Sequence, residues 1–198
     1  MKTRTVLFIW LGALLVGLNA RAATYHMSPS GVDSPTAAAW KTFAYALPRL
    51  LPGDTLLLRD GIYTKAEAGS LEADCRATTT NHAATGLDEA RRVTVRAEHE
   101  RQAHLLDNGM SYYVVNIIGC NYWTIEGLHI SGTQTTASTT NNGGIMVQSG
   151  AHHVVIRRNL IHDLNHYNGS SGIIFAYSAS DGLVEENEAY NLNRDMIY

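Results

Sequence analysis

Gly144-Ile145-Met146-Val147 through Ile156-Arg157-Arg158-Asn159 lies without a gap over Gly172-Ile173-Ile174-Phe175 through Val184-Glu185-Glu186-Asn187, at an offset of 28 residues. The match runs on to Leu164-Asn165 over Leu192-Asn193. An earlier copy lies at an offset of 31. It sets Val114-Val115 at Ile145-Met146, Gly119 at Gly150, Cys120 at Ala151, and Ile125 to Ile130 at Ile156 to Ile161. Val93-Thr94-Val95-Arg96-Ala97 is a weaker copy earlier still. Each copy consists of short β-branched and apolar runs between Gly, Asn and Ser turns, and none holds a convincing amphipathic helix after residue 60.

A unit of about 30 residues made of strands alone buries its apolar face only by stacking on its neighbours. Stacked units form parallel sheets whose alternate side chains enter a shared core. Leucine-rich, ankyrin and tetratricopeptide repeats share the period, but each needs helical turns in every unit. A β-sandwich would use shorter, unrelated strands. The pattern therefore predicts an all-β chain, a parallel β-helix of about 30-residue coils, and its right hand is implied by the resemblance given below. Asn159 and Asn187 superimpose, as stacked turn asparagines would, and Leu128 breaks that ladder one coil earlier. Glu126, Arg157 and Glu185 share one position in successive coils, on a solvated face where each pair contributes little.

The rest of the chain fits around these coils. Thr42 to Leu50 sets Phe43, Ala46, Leu47 and Leu50 at helical spacing, a short N-terminal helix to cap the first coil. Pro52-Gly53-Asp54 turns into a strand, Thr55 to Leu58. Residues 64 to 91, polar and rich in Ala and Thr, read as a long loop interrupting that coil. Residues 1–22 read as a signal peptide: Lys2 and Arg4, the apolar run Val6 to Leu18, then Ala20-Arg21-Ala22. That run is shorter than the roughly 20 residues a membrane span needs. The β-helix domain is then 23–198, and the chain is expected to be secreted, extracellular or periplasmic. A net charge of -3 argues against nucleic acid as a partner. Export permits a disulfide, and two cysteines allow only Cys75 with Cys120. Against it, Cys120 stands where later coils carry Ala151 and Ala179, a place for a small buried side chain.

Tyr25-His26-Met27-Ser28-Pro29-Ser30-Gly31-Val32-Asp33, Trp40-Lys41-Thr42-Phe43, Pro52-Gly53-Asp54-Thr55-Leu56 and Arg59-Asp60-Gly61-Ile62-Tyr63 resemble the opening segment of secreted right-handed β-helix proteins of the pectin-lyase-like fold. Val93 to Ala97 and Tyr122 to Ile130 also resemble coils of that group, which includes pectate-lyase-like, alginate-lyase-like and chondroitinase-B-like polysaccharide lyases. The resemblance covers residues 24 to 198 and is specific for fold more than for reaction. It implies more coils than are visible here, so the chain reads as a C-terminally truncated β-helix ending at Asp195-Met196-Ile197-Tyr198. It also implies a monomer acting on a uronic-acid-containing polysaccharide by β-elimination, with a noncatalytic glycan-binding module as the alternative.

Such elimination takes the proton alpha to a uronate carboxylate, which needs a base and a cation. Lysines stop at Lys65. No cofactor is evident, and Ca²⁺ enters through the resemblance alone. Alternation would point Met146, Gln148, Ile174 and Ala176 outward from the sheet that carries calcium ligands in pectate-lyase-like proteins, and none is acidic. The best remaining cluster is His162, Asp163 and His166 in one coil with Tyr190, Arg194 and Asp195 in the next. Under the 28-residue register His162 stacks on Tyr190 and His166 on Arg194. Arg194 would neutralise the uronate and His166 or Tyr190 would take the proton, with His162, Asp163 and Asp195 binding substrate. The simpler reading is a set of polar residues on a solvated edge. No metal site is expected, because His162 and His166 would need a helix to converge.

Overall fold

The computed structural model describes residues 22–76, 82–107, 112–132, 143–164 and 170–198. Residues 1–21 of the expected leader and the expected base His166 lie outside them. Three sheets, all parallel, carry the chain. The six-stranded sheet holds β1 (Thr24–Met27), β2 (Thr55–Leu58), β5 (Val93–Ala97), β8 (Trp123–Glu126), β11 (Val155–Arg157) and β14 (Leu183–Glu185). The five-stranded sheet holds β3 (Gly61–Thr64), β6 (Ala103–Asp107), β9 (His129–Gly132), β12 (Leu160–Leu164) and β15 (Glu188–Leu192). The four-stranded sheet holds β4 (Leu71–Asp74), β7 (Tyr113–Ile118), β10 (Gly143–Gln148) and β13 (Ile173–Phe175). From β4 onward each coil visits the sheets in one order, the arrangement expected of a parallel β-helix.

The 28-residue register holds: Ile145 pairs with Ile173, Ile156 with Val184 and Ile161 with Ala189. Ile145, Val147, Ile156, Ile161 and Ile173 are fully buried, and Phe175 and Val184 are half-buried against the same core. The 31-residue register holds for Ile125 with Ile156. It fails by one residue in the strand before, where Val115, not Val114, pairs with Ile145. The turn after β10 explains the slip. It contains two residues of left-handed backbone, Ser149 and Gly150, where the turn after β7 contains Gly119 alone. A one-residue slip exchanges the two faces of a strand, so Val115 and Ile117 enter the core and Asn116 faces out.

The corner between the six- and five-stranded sheets is built the same way in three coils. Gly127, Arg158 and Glu186 each take left-handed backbone there. For Arg158 and Glu186 that conformation costs about 1–2 kcal/mol, and the asparagines that follow offset it. The buried Asn159 accepts from the Leu128 N–H at 2.9 Å and donates to the Ile125 carbonyl at 3.1 Å. Asn187 accepts from the Asn159 amide at 2.9 Å and donates to Ile156. Asn159→Ala would strand a buried N–H and a buried carbonyl, at about 1–3 kcal/mol each. Its thermal midpoint should fall by about 5–10 °C, which differential scanning calorimetry would measure. The charged column stays outside, with Arg157 bonded to Glu126 at 2.9 Å and 3.9 Å from Glu185.

The capping helix forms as α1 (Phe43–Ala46), followed by a 3₁₀ turn over Leu47–Arg49. Thr42 caps it by accepting from the Tyr45 N–H. Phe43, Ala46, Leu47 and Leu50 are buried in the core, and the Phe43 ring lies 6.3 Å from that of Tyr63. Residues 64 to 91 are not one loop. They contain a single helical turn, α2 (Lys65–Ala68), and β4. The alternation Leu71-Glu72-Ala73-Asp74 buries Leu71 and Ala73 against Val115 and Ile117. Cys75, just past β4, bonds to Cys120, so the two cysteines pair. At the other end Leu183, Tyr190, Ile197 and Tyr198 are exposed. Among the described residues no helix is long and apolar enough to cross a membrane.

Candidate functional site

Two outward faces gather polar and aromatic side chains. On the four-stranded sheet, Lys65, Ser70, Glu72, Tyr112, Tyr113, Asn116 and Gln148 line a groove of about 510 Å³. The register gives it a floor of hydrogen-bonded side chains. Gln148 donates to Asn116 at 2.8 Å, and Asn116 donates to Glu72 at 3.3 Å. Tyr113 also borders a second cavity of about 150 Å³, shared with Met146, Ile174, Tyr177, Arg194 and Tyr198. Gly143 makes room for the Tyr113 ring, since a Cβ there would come within 2.6 Å of it. Burial, and then the neighbouring Tyr177, push the Tyr113 phenol up, so it stays protonated. The Arg194 guanidinium lies 5.3 Å from the centre of the Tyr198 ring.

On the five-stranded sheet, four rings stack across four strands. His104 and His129 lie 3.7 Å apart and parallel, His162 follows 4.8 Å beyond His129, and Tyr190 closes the row at 4.7 Å. The His129 and His162 Nε2 atoms face each other at 2.7 Å. Asp163 Oδ2 accepts from His162 Nδ1 at 2.8 Å, and Asn191 donates to the other Asp163 oxygen. His104 bonds Ser131 Oγ at 2.7 Å. Burial holds His104 down at about 4 and lowers His129, with the neighbouring imidazoles adding to both. The bonds from Asn191 and His162 hold Asp163 below the usual carboxylate range.

The crystal structure of an alginate lyase from Paenibacillus sp. str. FPU-7 superposes with a TM-score of 0.56 at 21% identity, over 83% of this chain and 44% of that one. The likeness is one of fold, and this chain spans less than half the length of that lyase. No family model matches the chain, and no curated protein matches it.

The residues expected from sequence to form one site divide between the two faces. His162, Asp163 and Tyr190 meet as expected, with His162 paired to Tyr190 in register. Arg194 lies beyond the next corner, in the cavity of the four-stranded sheet. Asp195 is exposed, and its carbonyl accepts from Gly172 at 3.0 Å, tying the crossing segment to the approach to β13. Tyr113 and Tyr177 carry the aromatic faces that the sequence offers for stacking on sugar rings, whereas the groove residues Lys65, Glu72 and Asn116 escaped the sequence reading. Strand alternation over Leu71 to Asp74 was the signal that would have found Glu72. His104 and His129 were missed because their spacing of 25 residues departs from the later repeat.

Calcium needs six to eight oxygens, several from carboxylates. Among the described residues lining the two cavities, Glu72 is the only acidic one, and it is engaged by Asn116. These residues do not fit calcium. Nor do the described His, Cys, Asp and Glu side chains include a group of three that could hold a metal.

Proposed function

We propose that the chain is part of a secreted, right-handed β-helix protein that acts on a uronic-acid-containing polysaccharide by β-elimination, along the outer face of the four-stranded sheet. The observation that carries this reading is the pair of cavities joined at Tyr113, with Arg194 and Tyr177 beside it. An extended sugar chain needs an open groove with aromatic walls and amide floors, and an acidic one needs a cation. Lys65 and Arg194 supply positive charge in the two cavities.

In this reading Arg194 pairs with the uronate carboxylate and stabilises the negative charge that builds as the alpha proton leaves. Tyr177, acting as its phenolate, takes that proton and becomes the neutral phenol. The electron pair forms the new C=C bond, the glycosidic C–O bond breaks, and the protonated Tyr113 gives its proton to the departing oxygen. Two phenols in different surroundings divide acid and base roles in this way. The base role first given to His166 or Tyr190 passes to Tyr177, because Tyr190 faces the other sheet. The apolar leader and the Cys75–Cys120 bridge support export, since disulfides persist in oxidising compartments.

The test is a screen of the chain, and of any longer form of the protein, on alginate, pectate and glycosaminoglycans, reading the ultraviolet absorbance of unsaturated uronate. Product from one of these is expected. Saturable binding with no unsaturated product would leave a noncatalytic glycan-binding module, for which the Glu72–Asn116–Gln148 floor already suffices.

A further inference from the structure

We propose that the imidazole row on the five-stranded sheet is a proton-sensitive strap, which holds β15 against β12 and releases it as protons accumulate. Asp163 fixes the proton of His162 on Nδ1, so the neutral ring presents a lone pair at Nε2. His129 must then donate its own Nε2 proton across the 2.7 Å contact. One added proton fits: taken up at His129 Nδ1, it leaves the His129 Nε2–H donating to His162 as before. A second puts two N–H groups head to head at that distance, and the rings must part. A third would fall on His104, stacked in parallel 3.7 Å from His129.

The bonds at risk are those between β12 and β15. Tyr190 stacks on His162 and Asn191 bonds Asp163, so rings that spread at β9 and β12 loosen β15. Among the described residues few other charges reach the row. On β15 Glu188 is paired with Arg101 at 2.7 Å, β9 adds only the neutral Ser131, and β3 offers Ile62 and Thr64. Asp107, at the end of β6, is buried.

The sign follows from where the protons go. His104 and His129 sit below the ordinary histidine value of about 6.5 in the closed row. The opened row therefore binds more protons as pH falls from about 6.5 toward about 4, and opening becomes easier across that window. Asp163 acts only lower, where its depressed carboxyl finally protonates. Because β15 runs on toward Arg194, release would also disturb the proposed groove, but the strap itself does not rest on that function.

Hydrogen exchange followed by mass spectrometry at about pH 7 and about pH 5 tests it, with rates corrected for intrinsic exchange. Amides of Glu188–Leu192 should lose about tenfold or more in protection, the effect of one pK unit, while those of β8 hold. His129→Phe keeps a stacking ring without its protons, and the change should shrink to about twofold or less. His104→Phe, which leaves the His129–His162 contact in place, serves if that variant does not fold, and should lessen the loss. Protection of β15 that stays constant with pH overturns the strap, and so does a loss unchanged in the folded variant.

Discussion

Replacing Arg194 by alanine should lower β-elimination on a polyuronate by about 10²–10³-fold, the usual effect of deleting one group that meets developing negative charge. The loss should fall on kcat/KM and leave the fold nearly untouched. Arg194 is exposed, and its guanidinium rests over the Tyr198 ring. Exposed contacts of this kind contribute about 1 kcal/mol or less. Arg194→Lys should recover part of the rate, because the charge returns without the planar fork. Steady-state kinetics on the active polyuronate, beside a thermal melt, separates the two effects. A variant with activity within about twofold of the parent would place the chemistry elsewhere.

The second large effect concerns stability. Cys75→Ser combined with Cys120→Ala should destabilise the chain by about 4 kcal/mol, the chain-entropy value for a closed loop of this size. The cysteines are 45 residues apart in sequence. For a chain of this length the midpoint should drop by roughly 8–16 °C. Alanine suits position 120, since Ala151 occupies the equivalent place one coil later, fully buried like Cys120. Scanning calorimetry of the parent with and without reductant, compared with the double variant, checks it. Reduction should lower the parent alone. A midpoint unmoved in both comparisons would mean the bridge does not constrain the unfolded chain.

The architecture was legible because the repeat was. Ile145 over Ile173 and Asn159 over Asn187 fix register and corner at once, and both are local patterns copied with a constant offset. What escaped had no such copy. β4 lies inside a stretch rich in Ala and Thr, and its four residues alternate too briefly to stand out among them. Missing it concealed Glu72, and it also concealed why Cys75 reaches Cys120: the Cys75 N–H bonds the Ile118 carbonyl, placing the two cysteines side by side. The chemistry was half legible. His162 over Tyr190 came from strand register, which repeats faithfully. Grouping Arg194 with them did not hold, because four residues past Tyr190 the chain has turned a corner, and a corner carries a side chain onto a different face.

The central claim, that acidic polysaccharide lies along the four-stranded sheet, is tested most directly by titrating the isotopically labelled chain with a short polyuronate oligosaccharide and following amide shifts by NMR. Perturbations should cluster at Tyr113, Asn116, Gln148, Tyr177 and Arg194 and saturate together. Saturable shifts confined to His129, His162 and Tyr190, or none at any accessible concentration, would contradict the account.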